Sequence, residues 1–189
     1  MKFTPEYLPG ATPLDPNEID GLIPDINNQG ELNTMEQQNI LIGKNWCLKY
    51  KKEILDEIFV RKLHKKMYGD VWKWAGTYRI TDKSIGIDKN QISTRVVELM
   101  RNTQTWIEFE SYPWREILSR FHHQLVFIHP FPNGNGRYAR LHTELLAEKY
   151  NQLIPTWGAR TKKDRAEYIS ALKKADNKQF DRLIKFIDS

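Results

Sequence analysis

The chain has 189 residues but only one cysteine, Cys47. A single thiol cannot close an internal disulfide, and it cannot build a zinc site made mainly of cysteines. Because Cys47 lies between Trp46 and Leu48 in an apolar stretch with helical spacing, we interpret it as a core residue. The sequence thus excludes a disulfide-stabilised scaffold.

Long apolar runs are also missing. No segment approaches the roughly 20 apolar residues that a membrane-spanning helix needs. The N-terminal segment Met1–Pro5 is not followed by the apolar core of a secretion signal. We therefore expect a cytoplasmic protein that has no membrane partner.

Charge of one sign does not dominate either. The 29 Lys and Arg residues are scattered among 24 Asp and Glu residues, which leaves a net charge of +5. This small surplus favours acidic partners such as nucleotides, but we do not expect direct binding to nucleic acid. Hydrophobic residues make up 40% of the chain, enough for one folded domain of this length.

The first 30 residues are rich in Pro, Asp, Asn and Gly, which favour turns over helix. They predict an extended N-terminal arm that wraps the domain through Leu14, Ile19 and Leu22. The remainder, residues 31–189, is predicted to be the main domain.

Helical spacing of apolar residues accounts for most of that domain. One nearly unbroken apolar stripe predicts a central helix, and its members are Ile117, Leu118, Phe121, Leu125 and Ile128. Residues 77–92 differ, since two short β-prone pieces flank Asp82, Lys83 and Ser84. The sequence therefore predicts a mostly α, single-domain fold, a helical bundle around a central helix–loop–helix with a small β-hairpin flap.

One segment between two predicted helices stands apart, and it reads HPFPNGNGRYAR from His129 to Arg140. Gly134 and Gly136 permit positive φ angles and the close approach of a ligand to the backbone. Successive N–H groups that lead into a helix N-terminus form an anion site. Cations at a helix start oppose the helix dipole, so Arg137 and Arg140 make most sense if they bind phosphate. A neutral imidazole at His129 could then take a proton from an attacking hydroxyl.

This segment resembles the signature of the Fic family, His-Pro-Phe-x-(Asp/Glu)-Gly-Asn-Gly-Arg-x-x-Arg. The resemblance extends to Trp74–Arg79 and to Tyr168–Leu172. In the arm, Ala11–Ile19 is similar to a bacterial Fic subgroup called mobile mystery protein B. The resemblance implies a helical Fic fold that transfers AMP from ATP to a Ser, Thr or Tyr hydroxyl of a target protein.

The resemblance also implies roles for individual residues. His129 would be the general base, and the target would pair with a flap formed by Ser84, Ile85, Gly86, Ile87 and Asp88. The residues expected to bind the nucleotide are Phe131, Gly134, Asn135, Gly136, Arg137 and Arg140.

One position departs from the signature. Asn133 stands where the family usually has an acidic residue that holds Mg²⁺, a cation that prefers charged oxygen ligands. An amide oxygen can coordinate the ion only without charge, so we expect Asn133 to be a weak Mg²⁺ ligand and the enzyme activity to be weakened.

A second family motif matches in part. Many Fic proteins carry an inhibitory helix, Ser/Thr-x-x-x-Glu-(Gly/Asn), whose Glu pairs with the second arginine of the signature. In the predicted helix at about 33–48, Gln38 stands at the Glu position, Glu36 lies close by and Asn39 follows. These residues are candidates for inhibition, and the alternative is a solvated helix face.

Other interpretations stay open at this stage. The chain could run another Fic chemistry, such as phosphate, UMP or phosphocholine transfer or the removal of AMP. It could also be a nucleotide-binding interaction module with weak catalysis. The subgroup resemblance implies a DNA-binding, antitoxin-like partner, and a homo-oligomer is compatible with the sequence.

Overall fold

A computed structural model of the chain describes residues 12–50, 53–158 and 165–189. Within these ranges the structure is mostly helical, and it also holds a short 3₁₀ helix at Lys89–Gln91. The α-helices are Pro16–Ile19 (α1), Gln29–Lys49 (α2), Glu57–Tyr68 (α3), Ile92–Glu108 (α4), Trp114–Ile128 (α5), Asn135–Lys149 (α6), Arg165–Asp176 (α7) and Asp181–Ile187 (α8). None of them is both long enough and apolar enough to cross a lipid bilayer.

Side chains fix where the long helices begin. Asn28 precedes α2, and its side chain accepts a hydrogen bond from the backbone N–H of Glu31 at 3.0 Å. Asp56 precedes α3 and accepts from the N–H groups of Ile58 and Phe59. Each cap satisfies donors that the helix itself cannot, so the sequence sets the starting point of both helices.

The central helix of the bundle is α5, which contacts α4, α6, α7 and α8. Its apolar stripe is buried, and Leu118, Phe121 and Leu125 have no exposed surface. The sequence prediction of a central helix that leads into the motif segment is therefore confirmed.

The described part of the N-terminal arm lies against the domain. Leu14 is buried in the core, and Ile19 and Leu22 pack against it. The arm is not extended throughout, because residues 16–19 form α1 behind a capping box between Asp15 and Glu18. Residues 1–11 of the predicted arm lie outside the described part of the chain.

The β-hairpin predicted at residues 77–92 is wrong. In the described ranges the one β-type backbone bridge joins Leu22 to Trp72, and residues 77–88 form an irregular loop with bends that leads into the 3₁₀ helix. The guanidinium of Arg79 donates hydrogen bonds to the carbonyls of Thr81 and Ile87. In a hairpin, these carbonyls would instead accept hydrogen bonds from backbone N–H groups of the opposite strand. Residues 79–88, the flap loop, therefore wrap around a buried cation.

Candidate active site

The loop that joins α5 to α6, residues 129–136, is called the motif loop below. The chain leaves α5 through His129, which has left-handed backbone angles (φ 52°, ψ 60°), and enters α6 through Gly134 (φ 78°, ψ 0°). A Cβ atom on Gly134 would lie 2.6 Å from Cζ of Tyr68. Glycine is therefore required at 134 for its backbone angles and also for space.

Asn135 holds the motif loop closed. Its Oδ1 accepts a hydrogen bond from the backbone N–H of Phe131 at 2.9 Å, and its Nδ2 donates to the Phe131 carbonyl at 2.8 Å. Both side chains are buried, and the Phe131 ring stacks on His64 with 3.7 Å between ring centroids. Neither side chain faces solvent, so the predicted nucleotide binding by these two residues remains a prediction that would have to use their backbone.

His64 is a residue of the site that sequence reasoning missed. Its Nδ1 accepts a hydrogen bond from the Gly76 N–H at 3.0 Å, so the ring proton is on Nε2, which donates to the Asn133 carbonyl at 3.1 Å. Burial lowers the His64 pKa to about 3, so the ring stays neutral. The sequence shows a histidine on α3, but no local signal indicates that it reaches the motif loop 69 residues away.

The start of α6 presents backbone donors to open space. The N–H groups of Asn135, Gly136 and Arg137 have no acceptor within the helix, because no preceding turn exists. A Cβ atom on Gly136 would meet nothing within 4 Å. Of the two motif glycines, only Gly134 has a positive φ, because Gly136 already lies in α6. The helix dipole and the free donors together favour an anion here.

The two arginines of the motif have different neighbours. Arg137 lies over the Tyr68 ring and donates from Nη1 to Oε2 of Glu36 at 2.7 Å, while its side chain remains 43% exposed. Arg140 is held over the rings of Trp157 and Tyr168, with its guanidinium 4.7 Å from the Tyr168 centroid. Arg140 is therefore oriented by aromatic rings, whereas Arg137 is restrained by a carboxylate.

Glu36, and not Gln38, is the residue of α2 that reaches the motif. The buried Glu36 carboxylate also accepts a hydrogen bond from Trp72 Nε1 at 2.8 Å, which fixes it in place. Gln38 is exposed, so the pairing with Arg140 that the motif match suggested for this position is wrong. Asn39 exchanges two hydrogen bonds with Asp70 instead. The helical register of α2 explains the difference, because it directs positions 36 and 39 inward and position 38 outward.

His129 provides an imidazole without hydrogen-bond partners. The residue is 7% exposed, and neither ring nitrogen has a partner of normal geometry among the described residues. The pKa of His129 is lowered to about 4, mainly by burial and further by the nearby cations Arg79 and Lys83. The Val126 carbonyl raises this pKa, but less than the other effects lower it. The ring is therefore neutral near pH 7 and can accept a proton.

The flap loop covers this imidazole. A Cβ atom on Gly86, which has φ 97°, would lie 2.7 Å from Cβ of His129. Arg79 links the two segments, since its Nε donates to the His129 carbonyl at 2.8 Å and its backbone N–H donates to the Pro130 carbonyl at 2.9 Å. The structure thus brings the predicted flap residues next to the predicted base. Of these, residues 84–86 and 88 are exposed and Ile87 is half-buried.

Asn133 is poorly suited to hold a metal ion. Its Oδ1 accepts a hydrogen bond from the Gly134 N–H at 2.6 Å, and its Nδ2 donates to the Thr12 carbonyl at 3.4 Å. The described residues contain no group of three or more His, Cys, Asp or Glu side chains arranged to hold a metal. A single uncharged oxygen that already accepts a hydrogen bond does not fit Mg²⁺, which prefers charged oxygen ligands.

These features define a helical domain with free backbone donors at a helix start and a neutral histidine in the loop that leads to it. Residues 54–147 match the model of the Fic/DOC family. The chain therefore contains a Fic/DOC family domain.

Solved structures share the whole fold. The N-terminal Fic domain of Bep8 from Bartonella sp. 1-1C is 14% identical, with a TM-score of 0.71 over 87% of this chain and 86% of that chain. BepC from Bartonella tribocorum, solved with bound AMPPNP, is 14% identical, with a TM-score of 0.68 over 86% and 87% of the two chains. At these identities the likeness establishes the fold.

Curated relatives are longer than this chain. A protein adenylyltransferase named Fic from Drosophila grimshawi is 28% identical over 168 residues, which cover 82% of this chain and 33% of the relative. Protein adenylyltransferase VbhT from Bartonella schoenbuchensis is 28% identical over 88 residues, which cover 43% of this chain and 18% of the relative. The chain thus spans a third or less of these two proteins.

The anion site makes a prediction about Gly136. The substitution Gly136→Ala should keep or slightly raise the free energy of unfolding, by up to about 1 kcal/mol, because alanine suits a helix better than glycine. It should also weaken ATP binding roughly 10- to 100-fold, because the added methyl group takes the space that phosphate needs and costs one or two charged hydrogen bonds. Thermal unfolding and titration with a fluorescent ATP analogue measure the two effects.

Gly134→Ala is the matched control, since it should lower both stability and affinity through its backbone angles and its contact with Tyr68. If Gly136→Ala binds the analogue as the wild type does, the start of α6 is not the phosphate site.

Proposed function

We propose that the chain is a protein adenylyltransferase that moves AMP from ATP to a hydroxyl group of a target protein. The observation that carries this proposal is the neutral, unpartnered imidazole of His129 beside the free N–H groups at the start of α6. The names of the two relatives, both protein adenylyltransferases, support the reaction type. The neighbour solved with AMPPNP supports a nucleotide as the ligand.

In this reaction one imidazole nitrogen of His129 accepts the proton of a Ser, Thr or Tyr hydroxyl. The hydroxyl oxygen then forms a bond to the α-phosphorus of ATP. The bond from that phosphorus to the bridging oxygen breaks, and pyrophosphate leaves with the electron pair. The products are a phosphodiester on the target and free pyrophosphate, and the imidazolium returns its proton to solvent.

The rest of the site would hold and neutralise the polyphosphate. The N–H groups of Asn135, Gly136 and Arg137 point toward the anion, and the guanidinium groups of Arg137 and Arg140 offset the charge that collects on the leaving pyrophosphate. Such positioning and charge neutralisation supply most of the rate in phosphoryl-type transfer. The exposed edge of the flap loop would align the target segment by backbone pairing, which keeps the hydroxyl above His129.

Regulation is part of the same proposal. The Glu36 carboxylate accepts a hydrogen bond from Nη1 at the edge of the Arg137 guanidinium and is itself held by Trp72. A phosphate that binds Arg137 must displace this carboxylate or share the guanidinium with it. Glu36 therefore acts as an internal competitor of the nucleotide.

The arm sequence further supports membership of the mobile mystery protein B subgroup. We assign the chain to that subgroup and give it a DNA-binding, antitoxin-like partner as part of this proposal.

The reaction predicts the outcome of a labelling experiment. In extracts of cells that express the protein, label from the α-position of ATP should be transferred to target proteins, and label from the γ-position should not. The substitution His129→Ala should lower the transfer roughly 10²- to 10⁴-fold, because the general base is lost. Mass spectrometry should locate AMP on Ser, Thr or Tyr of the same targets.

Gln124→Ala, about one turn earlier on α5, is the control and should transfer at the wild-type rate. Transfer of γ-label, or equal transfer by wild type and His129→Ala, would contradict the proposal.

The pKa of His129 predicts the pH dependence of the rate. The base works in its neutral form, and because its pKa is lowered to about 4, that form persists far below the ordinary histidine value of 6.5. Thus kcat/KM should stay level from pH 7 to about pH 5 and fall only as the pH approaches 4, since this parameter reports the free enzyme. Circular dichroism across the same range controls for acid unfolding, and an acid limb centred near pH 6.5 with intact fold would count against a buried His129 base.

The Glu36 competitor makes a separate prediction. Glu36→Gln keeps an acceptor for Trp72 but removes the charge that faces Arg137, so ATP affinity should rise roughly two- to fivefold, the value of an ion pair with one exposed partner. Titration with the fluorescent ATP analogue measures the change. Glu108→Gln, at the exposed end of α4, removes the same charge away from the site and should leave affinity unchanged. Equal affinity of Glu36→Gln and wild type would exclude competition.

A further inference from the structure

The N-terminal arm is attached to the flap loop by a buried ion-pair network. Lys83 Nζ lies 2.9 Å from Asp15 Oδ2 and 2.6 Å from Glu18 Oε2, and the Lys83 side chain is only 3% exposed. Thr81 Oγ1 donates to the same Asp15 carboxylate at 2.6 Å. The Asp15 side chain is 41% exposed, whereas Lys83 and Glu18 are shielded from water, and such a shielded ion pair is screened little by salt. The Lys83–Glu18 pair therefore holds the flap loop against the arm.

The other end of the same arm segment is attached to the motif loop. Thr12 is buried, and its carbonyl accepts a hydrogen bond from Asn133 Nδ2 at 3.4 Å. The orientation of the amide is fixed because its oxygen accepts from the Gly134 N–H at 2.6 Å, which leaves the NH₂ group for Thr12. An ionised Asp at this position has no donor and would place a charged oxygen against the carbonyl.

Between these ends the arm is seated in the core. Leu14 is 7% exposed and belongs to the main hydrophobic cluster, so the segment cannot shift at one end without strain at the other. The segment therefore spans from the loop that carries His129 to the loop that covers it.

We propose that residues 12–18 form a brace that fixes the flap loop relative to the motif loop, and that Asn133 serves as the anchor of this brace on the motif loop. Asn133, Asp15 and Lys83 are thus positioning residues. They determine how far the flap loop lies from the His129 ring. They therefore also position the exposed edge of the flap loop, where a target segment docks. That last consequence rests on the proposed adenylyl transfer, whereas the brace itself does not.

The test is hydrogen–deuterium exchange of the full chain without nucleotide or target, read at the end of the brace opposite to each substitution. Asn133→Asp keeps an acceptor for the Gly134 N–H, removes the donor to Thr12 and places a charged oxygen against the Thr12 carbonyl. It should speed exchange in residues 80–88 by roughly three- to tenfold, the value of one hydrogen bond. Asp15→Asn keeps a good helix cap for α1 and weakens the Lys83 contact, and it should speed exchange at the Gly134 N–H to a similar extent.

A double variant shows whether the signal passes through the arm. Arg79 also joins the flap loop to the motif loop, so an effect of Asn133→Asp could bypass the brace. In a Lys83→Met background the brace is already cut, and Asn133→Asp should then add nothing to exchange in residues 80–88. If the two effects multiply instead, the arm does not transmit them and the brace is refuted.

Controls separate the brace from loss of fold. Lys62→Met on the exposed face of α3 should leave both loops at wild-type rates, and Lys83→Arg should behave as wild type because it keeps the cation. Exchange in α5 should be unchanged in every variant. If Lys83→Met unfolds the chain, Asp15→Asn can take its place as the variant that cuts the brace. Asn133→Asp in the Asp15→Asn background should then add nothing to exchange in residues 80–88. Effects confined to the substituted end would overturn the proposal, whatever the outcome of the labelling experiment.

Discussion

The candidate site depends first on the two hydrogen bonds between the Asn135 side chain and the backbone of Phe131. They close the motif loop into a rigid turn, and the stack of Phe131 on His64 ties that turn to α3. This fixed turn allows two residues with left-handed backbone angles to connect the helices at the candidate site. His129 ends α5, and Gly134 precedes the first residue of α6. The free N–H groups at the start of α6 then face open space without any further adjustment.

Electrostatics at the site follow from unequal burial. His129 is covered by the flap loop and lies near the cations Arg79 and Lys83, which lower its pKa, so it stays uncharged near pH 7. Arg137 is almost half exposed and is paired with a buried carboxylate, Glu36. An ion pair with one exposed partner contributes little, about 0–1 kcal/mol, whereas a polyphosphate offers several charged contacts at once. In the proposed function, Glu36 would therefore raise the nucleotide concentration that the site needs, but it would not exclude a nucleotide.

The sequence predicted what short-range patterns encode. The apolar stripe of α5 indicated the central helix, and the motif from 129 to 140 indicated a loop that connects this helix to the next one. Spacing could not show which way the side chains of a loop turn, and so it did not indicate that Phe131 and Asn135 pack inward. The hairpin failed for a similar reason, because the side chain of Arg79 takes carbonyls that a strand-propensity argument assigns to the backbone.

Contacts between distant parts of the chain were beyond the sequence. Glu36 meets Arg137 across 101 residues, and Asn133 meets Thr12 across 121 residues. Neither contact is encoded by a periodic pattern in the sequence. At position 133 the sequence showed only that a carboxylate was absent, and the structure supplies a physical use for the amide in its place.

The central claim is that the backbone at the start of α6 seats the phosphates of a nucleotide. Amide NMR shifts during titration with ATP, compared with adenosine, test it most directly. The account predicts that the N–H signals of Asn135, Gly136 and Arg137 move downfield with ATP, as hydrogen bonds to phosphate form, and stay in place with adenosine. Equal shifts with both ligands, or unchanged signals at a concentration of ATP that saturates the protein, would contradict it.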